Sequence, residues 1–245
     1  MKRLETILIY LWAPFANLLW YLYTVLLGTA SLLVTPFDRA GAMRHACARL
    51  WCRLIALTIG VRVRVLGEEN LAPHETYVYM ANHASLVDIP ALFVGLPYQF
   101  RIMAKKELFY VPFLGWHLWA AGNFAVDRSR PSGTARSLLG VIEGVRGGKS
   151  LAVFPEGMRS ADGRLQQFKA GAFKIAVRAG VPIVPVAIRG THYILPKGSL
   201  APRPGRVDVI IGRPIETRAC GDERIPKLIE QTRAAIAASL DRAKG

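Results

Sequence analysis

TYVYMANHASLVDIPALFVG, residues 76–95, is the stretch on which the fold turns. TYVYMA (76–81) is a short apolar run rich in aromatic and β-branched side chains, the pattern of a buried strand. LVDIPALFVG (86–95) begins like a helix. Between them NHASLVD (82–88) sets His83 and Asp88 five positions apart. On a straight helix that spacing would turn the two side chains about 140° away from each other. They meet only if His83 occupies the turn and Asp88 the first turn of the following helix. The stretch therefore predicts a strand, a turn and a helix.

That geometry carries chemistry. A neutral imidazole can take a proton from a hydroxyl, and a carboxylate on its other ring nitrogen fixes the tautomer and stabilises the imidazolium that forms. A structural reading competes with it. Ser85 and Asp88 fit S-x-x-D, a capping box in which the carboxylate satisfies backbone N–H groups. None of the other histidines (His45, His74, His117, His192) has an acid five residues on.

Outward from this centre, strands and helices alternate. VRVRVLG (61–67) alternates strictly and predicts a half-exposed strand. FRIM (100–103), NFAVD (123–127), SLAVF (150–154), PIVPVAI (182–188) and RVDVII (206–211) are further strand candidates. Helices are expected over 132–147, 168–179 and 222–243. The class is α/β, with a mixed, partly parallel sheet flanked by helices. Pro182 and Pro185 make an all-paired central position awkward for their strand. Pro196–Pro204 reads as a surface loop. No repeat, low-complexity tract or linker divides residues 61–245, which are expected to form one domain after an amino-terminal module over 1–60.

The amino terminus differs in texture. From Ile7 to Val34 there is no charged side chain, and a continuous helix of that length would span a hydrocarbon core. Pro14 interrupts the run, and Trp12, Trp20, Tyr21 and Tyr23 suit a membrane interface. The run is too long for a cleaved signal peptide. In AMRHACARLWCRLIALTIG (42–60), Arg49 and Arg53 share one face, as expected of a helix lying on a membrane surface. The competing reading is a helical hairpin buried in the core. A hydrophobic two-helix membrane-associated module is expected, either spanning the bilayer or lying in one leaflet.

Composition limits the partners. The chain has 245 residues, a net charge of +15 and a pI near 10.2. Such a charge calls for an anionic partner: nucleic acid, an anionic membrane or a phosphorylated substrate. Lys and Arg are scattered rather than massed, and no helix-turn-helix, RNP-like strand or zinc finger is evident, so nucleic acid is not expected. Cys47, Cys52 and Cys220 form neither an even set nor a C-x-x-C pair, which argues against a disulfide framework or a zinc site and suits a reducing compartment. No metal site is expected.

Three more motifs follow the likely strands. GNFAVDR (122–128) ends in Arg128, whose forked donors match phosphate oxygens; a surface pair between Asp127 and Arg128 explains it equally. FPEGMRS (154–160) clusters Glu156, Gly157 and Arg159 at a strand's carboxyl end, the edge where ligands bind in open α/β sheets. There Gly157 permits close backbone approach and Arg159 supplies charge, while Glu156 could pin a basic residue or bond a substrate hydroxyl. FKAGAFKIAVRAG (168–180) opens a helix with Lys169, Gly171 and Lys174, a setting that favours anions. An ordinary turn and amphipathic packing would account for the last two motifs.

Together and in this order, NHASLVD, GNFAVDR, FPEGMRS and VPIVPV resemble the four motif blocks of the glycerolipid acyltransferases, most closely the bacterial 1-acyl-glycerol-3-phosphate O-acyltransferases. MAKKELFYVPFLGW (103–116) and FKAGAF are also similar to segments of that family. The resemblance covers about residues 60–215. It implies acyl transfer from a thioester, acyl-CoA or acyl carrier protein, to the free hydroxyl of lysophosphatidic acid, giving phosphatidic acid in phospholipid biosynthesis. By similarity His83 is the general base and Asp88 its orienting partner. Gly122 and Arg128 fall in the second block; Glu156, Gly157 and Arg159 match the third, associated with the phosphorylated acceptor. Lys105 is assigned to the acceptor phosphate. No cofactor is implied beyond the thioester co-substrate. Two positions depart from the pattern: Met158 stands where threonine is usual, and Ala170 replaces the second lysine of F-K-K-G. Both bear on donor and acceptor preference rather than on the reaction.

The chemistry suits these residues. A positioned base accelerates attack by an alcohol by roughly 10²–10⁴. A thiol with a pKa near about 8.5 leaves with little acid help. No G-x-S-x-G elbow is present, so direct transfer without an acyl-enzyme is expected. Oxyanion donors are assigned to backbone N–H groups near Gly157. Competing readings keep the mechanism but change the acceptor, to another lysophospholipid, a lyso-ornithine lipid or glycerol-3-phosphate, or replace catalysis with binding of anionic lipid or RNA. Reduced thiols and basic residues after the first apolar segment place the catalytic domain on the cytoplasmic face of the inner membrane.

Overall fold

The computed structural model describes residues 2–127, 131–218 and 220–241. Among these, seven strands form one sheet: β1 (Val61–Leu66), β2 (Val78–Ala81), β3 (Arg101–Lys105), β4 (Phe124–Val126), β5 (Leu151–Val153), β6 (Ile183–Arg189) and β7 (Gly205–Ile211). Their order is β1-β7-β6-β2-β5-β3-β4. The β6–β7 pair is antiparallel and the other pairs are parallel, so the sheet is mixed, as expected. The helices are α1 (Lys2–Val34), α2 (Ala42–Thr58), α3 (Asp88–Gly95), α4 (Leu114–Ala120), α5 (Pro131–Arg146), α6 (Ala170–Ala179), α7 (Thr191–Ile194) and α8 (Ile225–Asp241).

β2 lies at the centre and is buried along its whole length, which is why TYVYMA reads as an unbroken apolar run. Successive side chains point to opposite faces. Tyr79 and Ala81 enter a core that includes residues of α2 and α3. Val78 and Met80 enter a second core with residues of α5, α6 and α8. Because β2, β3, β4 and β5 run parallel, the segments following all four emerge at one edge of the sheet. That edge brings NHASLVD beside FPEGMRS, although 73 residues separate His83 from Glu156 in sequence.

Three expectations need correction. Pro14 does not interrupt the first helix; α1 runs through it. A proline removes one hydrogen bond to the preceding turn, a small loss in a helix of 33 residues. The strand predicted to hold two prolines, β6, contains only Pro185, with Pro182 just before it, and occupies an all-paired interior position between β7 and β2. Pro185 O accepts the Gly212 N–H at 2.8 Å, so its imide nitrogen faces the same side, and the β6–β7 ladder begins one residue later at Val186. The missing donor thus falls in a gap between pairings.

The third concerns α2, which does not simply lie on a surface. His45, Ala48, Cys52, Ile55 and Ala56 are buried in it. Arg49 turns inward and donates to the carbonyls of Leu96 and Pro97 at 2.6 and 3.1 Å, satisfying acceptors just past α3. Arg53, Met43, Leu50 and Leu57 stay exposed. Cys52 and Ala56 share a core with Tyr79 and Leu92, so α2 packs against β2 and α3. α1 is the outlying element: it is long and apolar enough to cross a membrane, and only 11% of its apolar window is buried.

Candidate active site

Asp88 opens α3 and is fully buried. Its Oδ2 accepts the N–H groups of Ala84 and Ser85 at 2.7 and 2.8 Å and lies 2.8 Å from His83 Nδ1. The capping and orienting readings therefore describe one oxygen. A carboxylate already holding two donors acts as acceptor toward the ring, an arrangement that in a neutral imidazole sets the proton on Nδ1 and the lone pair on Nε2. Ser85 Oγ accepts the Val87 N–H and donates to Leu195 O. Asn82 makes a two-way bond with the backbone of Ile188, at 2.9 and 2.7 Å, which ties the end of β2 to β6.

The segment after β5 holds His83 from its other side. Phe154 stacks on the imidazole, with centroids 3.9 Å apart and planes at 12°. Glu156 Oε1 accepts the His83 N–H at 2.8 Å, and the Ser160 N–H donates to His83 O at 2.8 Å. Glu156 Oε2 accepts the Gln166 N–H at 3.3 Å. Burial pushes the Glu156 carboxyl up to about 7, against the opposing pull of these amides. Glu156 is 3% exposed, and the neighbouring cavity is bordered by residues on either side of it rather than by Glu156 itself. In this arrangement Glu156 positions the His83 peptide.

Gly157 adopts φ +78°, a left-handed conformation suited to glycine, and borders the cavity. A Cβ there would lie 3.1 Å from Lys169 Nζ. Its N–H donates to Phe154 O at 3.0 Å, so this amide closes the turn, and the oxyanion role assigned nearby does not fall to it. Arg159 borders the same cavity, is partly exposed, and forms no ion pair among the described residues.

The cavity has a volume of about 810 Å³. His83, Gly157 and Arg159 border it together with Lys105, Lys169 and Lys197. Trp20 and Leu27 of α1, Trp51 and Ile55 of α2, Phe93 of α3 and Leu118 of α4 supply apolar wall. Lys105 is 59% exposed and lies 3.4 Å from Glu107, a pairing that solvent leaves weak. Arg128 lies outside the described residues. Gly122, at φ +68°, does not border the cavity; it ends α4 ahead of β4. Among the described residues no three His, Cys, Asp or Glu side chains converge as metal ligands.

Some contributors escape the sequence reading. Phe154 appears there only as a strand end, Lys197 sits in a stretch read as surface loop, and Asn82 carries no assigned role. Their partners are remote in sequence, so no local spacing signals them. Lys169 is legible as a cation at a helix start, and it does immediately precede α6.

A histidine bordering an apolar cavity at the edge of a mixed sheet, held by a buried aspartate, defines an acyltransferase-like site. Residues 62–189 match the Acyltransferase family, and the chain belongs to it. It is 35% identical over 212 residues to the chloroplastic 1-acyl-sn-glycerol-3-phosphate acyltransferase LPAT1 of Arabidopsis thaliana, covering 86% of this chain but only 57% of that relative. It is 29% identical over 245 residues to the 1-acyl-sn-glycerol-3-phosphate acyltransferase of Pseudomonas aeruginosa, covering 98% of this chain and 91% of that one. The crystal structure of the 1-acyl-sn-glycerophosphate (LPA) acyltransferase PlsC from Thermotoga maritima superimposes with a TM-score of 0.78 at 26% identity, covering 97% of this chain and 98% of that one.

Proposed function

We propose that the protein transfers a fatty acyl group from an acyl thioester to the free hydroxyl of 1-acyl-glycerol-3-phosphate, forming phosphatidic acid. The observation that carries this is that His83, paired with the buried Asp88, borders an apolar cavity that Arg159, Lys105, Lys169 and Lys197 also border. His83 Nε2 takes the hydroxyl proton as the acceptor oxygen attacks the thioester carbonyl. The tetrahedral intermediate collapses with cleavage of the C–S bond, and the imidazolium returns its proton to the departing sulfur. Asp88 stabilises the cation between these steps. The basic side chains suit a phosphorylated acceptor better than an acceptor without an anion.

The donor is acyl-CoA or acyl carrier protein, and no other cofactor takes part. The apolar wall from α1, α2 and α4 accommodates acyl chains, and residues 1–60 act as the membrane-associated module, with the site on the cytoplasmic face of the inner membrane. The exposed apolar surface of α1 supports the membrane association rather than a particular face. The test is conversion of labelled lysophosphatidic acid to phosphatidic acid by purified protein, supplied in turn with acyl-CoA and acyl carrier protein. Product with either donor supports the reading; none with either, from folded protein in lipid, refutes it.

A further inference from the structure

We propose that the segment from Lys106 to Ala120 is a second membrane-contact element, whose outer aromatic face docks in the interfacial layer of a phospholipid leaflet, continuous with α1. The proposal rests on the membrane reading of α1 and adds a contact outside residues 1–60. Its outer face is unusually apolar. Tyr110 is 71% exposed, Trp119 75%, Trp116 47% and Val111 42%. Tyr110, Trp116 and Trp119 border one cleft with Leu32 of α1 and with Lys106, whose ammonium lies 3.5 Å from the Asp127 carboxylate. Tryptophan and tyrosine favour the headgroup level of a bilayer.

The inner side of the same segment walls the catalytic cavity. Leu108, Phe113 and Leu114 border that cavity, and Lys105, just before the segment, borders it too. Phe113 joins the two sides through a tight turn, at φ +63° with the Leu114 N–H donating to Pro112 O at 2.7 Å. Gly28 of α1 lies directly against it: a Cβ at Gly28 would come within 2.9 Å of Phe113 O. The glycine lets the turn seat on α1, so the aromatic face and the apolar helix share one frame. A leaflet contacting both would meet the cavity wall, which gives lipid acceptor and acyl chain a lateral route to His83.

The experiment uses the full chain with vesicles of phosphatidylglycerol and phosphatidylcholine brominated on its acyl chains. Bromolipid is expected to quench a component of wild-type tryptophan emission that the Trp116→Phe/Trp119→Phe variant lacks. A second variant, Tyr110→Glu/Trp119→Glu, changes only exposed positions. It is expected to keep its circular dichroism and its flotation with vesicles through α1. Its turnover should fall several-fold on acceptor embedded in vesicles while holding on a monomeric short-chain acceptor. Emission from Trp116 and Trp119 untouched by bromolipid would overturn the proposal, as would a concentration-dependent dimer that shields them. Equal loss on both acceptors would overturn it too, by assigning the segment to the catalytic step. Absence of turnover in wild type would refute the catalytic reading instead, and the quenching result would still decide this one.

Discussion

Glu156 Oε1 accepts the backbone N–H of His83 at 2.8 Å, so a carboxylate in the third motif holds the peptide of the histidine in the first. Phe154, two residues earlier, stacks on the imidazole of the same residue. The two motifs therefore act as one positioning unit across the β2–β5 pair.

The raised pKa of Glu156 gives a pH signature. Its carboxyl moves from 4.5 to about 7 because burial penalises the charged form. The folded state thus holds this proton more tightly than the unfolded chain. The stability it lends is complete below pH 4.5 and lost as pH rises through about 7. The full swing is roughly 3 kcal/mol. Glu156→Gln should abolish that swing, so denaturant unfolding of wild type should weaken relative to the variant between acidic and mildly alkaline pH. Parallel curves would place the titration elsewhere.

Asp88 separates folding from chemistry. Asp88→Asn retains an oxygen for the Ala84 and Ser85 amides but loses the charge that stabilises an imidazolium. Its melting temperature should stay near wild type while turnover falls roughly 10²–10⁴-fold, the scale of losing general-base catalysis. Asp88→Ala also leaves two buried N–H groups unpaired, at about 1–3 kcal/mol each. It should lose both turnover and thermal stability. Full turnover by Asp88→Asn would reduce the residue to a cap.

Arg159 reports on the acceptor. If it grips a phosphate, Arg159→Ala should raise the acceptor KM by roughly 10- to 100-fold, the worth of a charge-assisted hydrogen bond. The donor KM should hardly change. Arg159→Lys should recover only part, because an ammonium lacks the forked donor geometry. An effect on the donor KM alone would move the residue to the thioester side.

Gly157 joins backbone conformation to charge placement. Gly157→Ala would hold a side chain in the left-handed region, at about 1–2 kcal/mol. It would also bring a methyl to 3.1 Å from Lys169 Nζ and displace that ammonium. A lower melting temperature and a higher acceptor KM are expected together. Loss of stability alone would leave Lys169 out of acceptor binding.

The central unit of the fold was legible because its signals are local. TYVYMA is a buried strand, the five-residue gap from His83 to Asp88 demands a turn, and strands alternate with helices along the chain. The strand order was not legible, because β7 inserts between β1 and β6 through pairings that reach far across the sequence. The same holds at the site. The spacing of His83 and Asp88 revealed their pairing, whereas nothing near Glu156 in sequence indicates that its oxygens accept from the His83 and Gln166 amides. Arg49 misled for a related reason: its spacing from Arg53 matches a solvated face, but its guanidinium finds the carbonyls of Leu96 and Pro97. Periodicity describes a face without naming what meets it.

The most direct test of the proposed mechanism is thiol release from a long-chain acyl-CoA or acyl carrier protein, with and without lysophosphatidic acid, in wild type and His83→Ala. The account predicts release that requires the acceptor, matches phosphatidic acid formed, and disappears in the variant while vesicle binding persists. Acceptor-dependent release undiminished in folded His83→Ala would contradict it.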